Sequence, residues 1–560
     1  MGKKFPLSSP YVIVLATIAI YLIIAALTVL TKRPWCDEAW FASPALNLLE
    51  EGHMGISVKE LAGFRFTRMD QYTYWQPPLY YLAQAAWYSI FSFSLFSMRF
   101  LSVFWGIILL FSLLSVLNTL TNNRNIALLA AALTAVDFLF IGKAADGRMD
   151  MMSTALAFAG FAAYLSLRRK NLLFALLAGH ALVAASGLTH PNGIMALMGI
   201  VFLNLYYDRD RIRVKHVLVA LIPYALGLLG WGLYILQDPQ AFLDQFGGNF
   251  TERFSGSLSL LTAFQMEITQ RYLATYGFAE GASLMGKIRV LILIAYFMGL
   301  IGCAFSAELR KRTGVRALLI LFLLYFLPMS MLIGNKSPNY LIYILPFYTS
   351  LLSVLAVRWW QESRTPKYLI VSSLALIFAL QIGINIRHIL NDNYRTDYLP
   401  TIERLRGLDY ESSIVMGSAE LAFELDLDRT LSMTPGWDTS PAKGPILSLL
   451  NPATWVGLKD GEKRSRKHTH ISRTCLRSDM RRSMEMTSTR STNGNPEQPA
   501  GESAFRVFFS SPAPLSTPPD LFMLALPHLE EGTVAAWLHG MSGFCLPRRA
   551  LIGAAHLSVL

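Results

Sequence analysis

Two acidic residues, Asp37 and Glu38, stand side by side in RPWCDEAWFA (33–42), directly after twenty uncharged residues, 11–30. Carboxylates among Trp35, Trp40 and Phe41 lose hydration, which raises their basicity and suits them to general-base work. A second group, GRMDM (147–151), sets Arg148 two residues before Asp150, while His190 lies in GLTHPNG and Lys336 in GNKSPNYLIYILPFY. Taken singly, these are ordinary features: a solvated helix end, an interfacial ion pair, a snorkelling or capping side chain. Together they supply a base and several anion partners, which phosphate-ester chemistry requires because charge on the leaving group must be stabilised. A third stretch, TYWQPPLYYLAQAAWY (73–88), opens a helix with a proline pair and offers Trp75, Gln76 and several tyrosines. Such rings either sit at headgroup depth or stack on a sugar.

The elements that must position these residues are membrane helices. Of 560 residues, 53% are hydrophobic and 15% are charged, against about 25% charged in a typical soluble domain. Twelve apolar runs recur between residues 11 and 387, each close to the ~20 residues that span a hydrocarbon core. The net charge of +12 is no sign of nucleic acid, because nine basic and three acidic residues fall within 461–490. The first run follows MGKK and lacks a small-residue cleavage site, so it reads as a retained signal anchor. The four cysteines have neither metal-type nor disulfide-framework spacing.

Sidedness decides which runs cross. LRRKN (167–171), DRDRIRVK (208–215), ELRKRTGVR (308–316) and RWWQESRTPK (358–367) are separated by pairs of runs and share the cytoplasmic side with MGKK. Five runs precede LRRKN, so one does not cross. The weakest is 77–93, rich in Tyr, Trp and Ser, which suits an interfacial helix. This leaves eleven spans, a cytoplasmic N-terminus and an external C-terminus. Loops 31–97, 142–150, 189–193, 237–286 and 334–339 then share the outer face, with every candidate residue named above.

The acid pair after the first span, the Pro-Pro-Leu helix, the Arg-x-Asp turn and the late Lys-x-Pro-x-Tyr segment resemble the signature of membrane glycosyltransferases that use lipid-linked sugars. The relatives in question are the protein O-mannosyltransferases, the bacterial aminoarabinose transferases of lipid A, and the bacterial dolichyl-phosphate-mannose-mannosyltransferase-like proteins. The resemblance covers about residues 8 to 390. It implies an all-α polytopic GT-C fold and transfer, with inversion, from a polyprenyl-phosphate sugar to an acceptor hydroxyl on the extracytoplasmic face of the plasma membrane. By position it implies Asp37 as catalytic base, Glu38 as its assistant or as a positioner of the acceptor, and Arg148, Lys336 and Tyr340 around the donor phosphate. Asp150 would be the second acid, with Trp75, Gln76 and His190 contacting sugar or acceptor. Relatives often carry His or Lys before the proline pair where this chain has Gln76. The resemblance requires no cofactor, although some relatives bind a divalent ion, for which Asp37 and Asp150 would be the ligands. The partners implied are a polyprenyl-phosphate sugar, the bilayer, and a lipid, glycan or protein acceptor; nucleic acid is not among them. The rival readings are a transporter or flippase of lipid-linked precursors and an oligosaccharide ligase or polymerase. Transporters tend to show internal repeats and charges at the bilayer midplane, whereas no repeat is visible here and the charges gather at one edge.

Residues 1–390 thus read as the transmembrane domain and 391–441 as the start of a small extracytoplasmic α/β segment, with SIVMG (413–417) as a strand. From 442 to 560 the hydrophobic pattern dissolves into polar, basic sequence, which reads as disordered or as an aberrant extension.

Overall fold

The computed structural model describes residues 9–60, 66–254, 259–279, 283–331, 334, 336–362, 366–406, 415–425, 430–432 and 506–507. Helix α1 (Pro10–Thr31) starts on a proline, whose missing N–H costs nothing in a first turn. Two outer helices follow, α2 (Cys36–Glu50) and α3 (Leu79–Phe91), with the short strand β1 (Lys59–Glu60) between them. The bundle continues through α4 (Leu95–Thr121), α5 (Arg124–Val136), α6 (Phe138–Ala144), α7 (Met149–Leu167), α8 (Leu172–Thr189), α9 (Ile194–Asp208) and α10 (Val214–Ile235). An outer segment then carries α11 (Pro239–Phe254), α12 (Leu260–Met266), a π-helical stretch (Glu267–Phe278) and α13 (Leu284–Lys287). Helices α14 (Val290–Phe305), α15 (Ala307–Lys311), α16 (Thr313–Met331), α17 (Leu345–Gln361) and α18 (Lys367–Asn391) complete it, with a 3-10 turn at Pro338–Tyr343. Side-chain caps set several starts: Ser94 accepts from Ser97 N before α4, and Asn171 from Phe174 N before α8.

All eleven stretches expected to cross are helical. Among the described residues seven helices are long and apolar enough to do so alone, namely α1, α4, α7, α8, α10, α16 and the one beginning at Lys367. The pair α5–α6, bent by 63°, makes an eighth if it is one span, and α14 is shorter but strongly apolar. The chain is a multi-pass membrane protein. Its leucines at 218, 221, 226 and 229 on α10 stay exposed, as surfaces facing lipid tails do. The run at 77–93 forms α3, thirteen residues long, or about 20 Å at the helical rise. That is too short to span.

The α5–α6 bend redirects the chain by 63°. Asp137 accepts from the backbone N–H groups of Leu139 (2.8 Å) and Phe140 (3.0 Å), which starts α6 in a new direction. Its other oxygen accepts from Tyr296 (2.6 Å) and Gln381 (2.7 Å), while Gln381 Oε1 accepts from Phe138 N and Asn385 donates to Val136 O. The backbone groups freed by the break are therefore met by α18, as a bend inside a bilayer demands.

Outside the bundle, α19 (Leu399–Arg406) and α20 (Ala422–Leu425) lie with β2 (Val415–Gly417), β3 (Thr430–Ser432) and β4 (Arg506–Val507). The four strands form one parallel sheet in the order β1-β3-β2-β4, so a strand of the first outer loop pairs with the segment that follows α18. Strand β2 falls inside the SIVMG stretch. Apart from β4, the expectation for 442–560 lies outside the described residues.

Replacing Asp137 with Ala leaves buried donors on α6, α14 and α18 without an acceptor, at about 1–3 kcal/mol for each group orphaned. The variant should insert normally but unfold at clearly lower temperature in detergent; an unchanged melting temperature would show that the bend is held by other means.

Candidate active site

Asp37 and Glu38 occupy the first turn of α2, where carboxylates are favoured by the unpaired N–H groups of a helix start. Successive helical residues point about 100° apart, and the two acids accordingly meet different surroundings. Glu38 turns inward and is completely buried. Its Oε1 accepts from Arg99 Nε at 2.7 Å and Gly147 N at 3.0 Å, and its Oε2 from Arg99 Nη2 at 2.7 Å and Trp35 N at 2.9 Å. Arg99, near the start of α4, spends its remaining donors on the carbonyls of Val29, Lys32 and Arg33 at the end of α1. The expectation that Glu38 assists at the reacting atoms is revised by this arrangement, because its oxygens are already engaged by four donors. Glu38 is a bracket.

Asp37 faces the other way, with its side chain 35% exposed. One oxygen pairs with Arg148 Nη1; among the described residues the only hydrogen-bond donor to the other is the Cys36 thiol, at 3.9 Å. Burial, reinforced by Asp37, pushes that thiol well above its usual range and keeps it from acting as a nucleophile.

Arg148 is the residue on which the site converges. It precedes α7 in an extended conformation, and its Nε donates to Asp150 Oδ2 at 3.0 Å. The rings of Trp35 and Phe41 each lie 5.2 Å from the guanidinium carbon. The aromatic company expected around the two carboxylates thus encloses their cation. Burial works against the charge on Arg148, but Asp150 and Asp37 outweigh it and raise its proton affinity. The second oxygen of Asp150 lies 3.9 Å from His190 Nε2. His190 Nδ1 accepts from Asn192 N at 3.1 Å, which assigns the ring proton of the neutral form to the side facing Asp150. His190 in turn packs against Tyr340 and Tyr343, at ring separations of 5.7 and 6.0 Å.

Beyond Tyr340 stands a group with little warning in the sequence. Arg271, in the π-helical stretch, lies 5.9 Å from the Tyr340 ring and is bonded to Glu267 at 2.7 and 2.8 Å. Lys336 reaches the same Glu267 at 3.3 Å and donates to Ser330 O at 2.6 Å. Among the described residues, two buried cations thus meet at one carboxylate. Burial lowers the proton affinity of Lys336, which Glu267 counters and Arg271 reinforces. A lone arginine in a polar outer loop gives no periodic signal, whereas Arg99, a charge at the edge of an apolar run, is a signal that sequence reasoning passed over.

Trp75 and Gln76 border the same site. Trp75 stacks on Phe41 at 5.3 Å and meets Trp40 edge-on. Helix α11 holds their loop: Gln245 accepts from Tyr74 N and donates to Thr67 O and Tyr72 O, and Asn249 donates to Trp75 O. Among the described residues the buried Trp75 Nε1 and Gln76 Oε1 have no hydrogen-bond partner. Both are free to meet a hydroxyl. The structure thus brings Asp37, Arg148, Asp150, His190, Tyr340 and Lys336 into one chain of contacts, flanked by Trp75 and Gln76.

A divalent ion fits this donor set poorly. Among the described residues no three His, Cys, Asp or Glu side chains converge, and the guanidinium of Arg148 already bridges Asp37 and Asp150.

Breaking the Glu38–Arg99 pair from one side strands a buried charge, at about 3–5 kcal/mol. Glu38→Ala should therefore lose the fold at markedly lower temperature, and Glu38→Leu combined with Arg99→Met should recover part of the loss. Equal thermal stability of Glu38→Ala and the parent would remove the bracket from the account.

No family model and no curated protein matches the chain. Among solved structures, it is similar to ArnT from Cupriavidus metallidurans bound to undecaprenyl phosphate, with a TM-score of 0.53 and 13% identity over 76% of this chain and 86% of that one. The apo form of the same protein gives a TM-score of 0.52 and 15% identity over the same shares. The likeness is one of fold, and the fold is GT-C.

Proposed function

We propose that this GT-C membrane protein is a glycosyltransferase that moves a monosaccharide from a polyprenyl phosphate to an acceptor hydroxyl. The observation that carries the reading is the unbroken line of contacts from Asp37 through Arg148, Asp150, His190 and Tyr340 to Arg271 and Lys336. It has a partly exposed carboxylate at one end and two buried cations at the other, the pairing that phosphate-ester displacement needs. The likeness in fold to a protein crystallised with undecaprenyl phosphate supports a lipid-borne donor.

In this reading the acceptor oxygen attacks the anomeric carbon while the free oxygen of Asp37 takes the hydroxyl proton. The bond from that carbon to the phosphate oxygen breaks, and the electron pair leaves on the polyprenyl phosphate. Arg271 and Lys336 offset the charge that develops there, and Tyr340 lines the path between them and the base. Arg148 orients Asp37 and Asp150 and adds positive potential. Its Nε and Nη1 are committed to those acids, so direct phosphate binding falls mainly to the other two cations. His190 backs Asp150, while Trp75 and Gln76 meet sugar hydroxyls by stacking and hydrogen bonding. One displacement at one carbon inverts its configuration. The basic loops at the opposite end of the bundle fit a cytoplasmic N-terminus and a site on the outer face of the plasma membrane.

Asp37→Asn keeps the shape of the side chain and removes the base, and should cut the transfer rate by about 10²–10⁴ with donor binding intact. A radiolabelled polyprenyl-phosphate sugar and the purified protein suffice for the measurement; a rate equal to the parent's would end this mechanism. Arg271→Gln should instead weaken donor binding by roughly tenfold or more, as expected for loss of a charged hydrogen bond. Chelation with EDTA should leave the rate unchanged, and loss of activity restored by magnesium would give the acids a metal.

A further inference from the structure

The face that carries the site also carries an unbalanced group of cations at its lipid-facing rim. Lys32 follows α1, Arg289 precedes α14, and Arg387 and His388 lie near the end of α18. These ends meet, because α1, α6 and α14 all pack on α18. Arg289 Nη2 donates to His388 Nε2 at 2.8 Å, and its guanidinium lies 5.1 Å from the Phe138 ring of α6. The acids nearby are committed elsewhere. Asp146 is shared by Lys32 and Lys143, and Asp392 is paired with Arg395 at 2.7 Å. Arg387 and His388 are exposed, and among the described residues Arg387 makes no hydrogen bond or ion pair. Burial and the adjacent Arg387 both lower the proton affinity of Arg289, so the two guanidinium groups repel each other without an intervening anion.

Two further facts say what would supply that anion. This rim lies opposite the four Lys/Arg-rich loops, at the end of the bundle where membrane helices ordinarily carry few basic residues. Below it, the outward surfaces of the three helices are apolar: Leu27 and Leu30 on α1, Leu291 and Ile294 on α14, and Leu376 and Ile386 on α18 are all exposed. Cations directly above bare apolar helix faces match a phosphate headgroup with its acyl chains hanging beneath.

We infer that Arg289 and Arg387 form a binding site for the phosphate of an anionic glycerophospholipid of the leaflet on the candidate-site face. This site is separate from the one proposed for the sugar donor. The Lys32–Asp146–Lys143 group stands between it and Arg148, and the donor's phosphate must instead come to the Asp37 side, where Arg271 and Lys336 lie. The inference does not depend on the transfer reaction, since a lipid bound at the rim would brace the α1–α14–α18 edge whatever the site does.

The experiment is lipid retention by the full-length protein in detergent, read by native mass spectrometry during titration with phosphatidylglycerol, phosphatidylcholine, undecaprenyl phosphate and inorganic phosphate in separate arms. Phosphatidylglycerol should be retained over phosphatidylcholine. Arg387→Gln and Arg289→Gln should each weaken that retention about fivefold, the effect expected for one basic residue near a lipid surface. Arg387→Lys should restore most of it, and Lys170→Gln, in a basic loop at the opposite end, should leave it unchanged. Because Arg387 is exposed and bonded to nothing described, its variant keeps the fold. Equal retention of both phospholipids, equal retention by parent and both Gln variants, displacement of phosphatidylglycerol by undecaprenyl phosphate, or comparable binding of inorganic phosphate would each overturn the assignment.

Discussion

A charge that leaves water must be paired, and the site is organised around that constraint. Glu38 and Arg99 are both fully buried, and neither is tolerable there without the other. Arg99 also gathers the carbonyls at the end of α1, and Glu38 takes the N–H of Gly147. One ion pair therefore fixes the end of α1, the start of α2, the top of α4 and the turn before α7. With Glu38 anchored, helix geometry turns Asp37 the opposite way, toward Arg148. The direction of the exposed acid is a consequence of the buried one.

The same logic extends outward. Arg148 is buried and meets two carboxylates. Arg271 and Lys336 are buried and meet one. The first group sets one cation between two acids and suits a positioning role. The second gathers two cations and suits an incoming anion. Tyr340 and His190 lie between them, so the two groups belong to one site, which the proposed mechanism reads as a base at one end and an anion-binding region at the other.

Much of this was legible in the sequence because membrane helices announce themselves by length and polarity. Sidedness alone gathered Asp37, Arg148, Asp150, His190 and Lys336 on one face, and the structure joins these residues through direct contacts. The division of labour between Asp37 and Glu38 was not legible, since it depends on Arg99 sixty-one residues away. Arg271 was hidden for a similar reason: its meaning comes from Tyr340 and Lys336, which the chain reaches only after α13 to α16. The bend at Asp137 was read as one continuous span, because its polar partners, Tyr296 and Gln381, lie on distant helices. The GT-C architecture expected from the resemblance agrees with the structural likeness to ArnT.

The account stands most directly on the stereochemistry of transfer. The purified protein would be given a polyprenyl-monophosphate sugar of defined anomeric configuration with an acceptor, and the linkage formed would be assigned by NMR. A single displacement assisted by Asp37 predicts a glycoside of inverted configuration. A product of retained configuration, or transfer from a diphosphate-linked donor with none from any monophosphate, would contradict it.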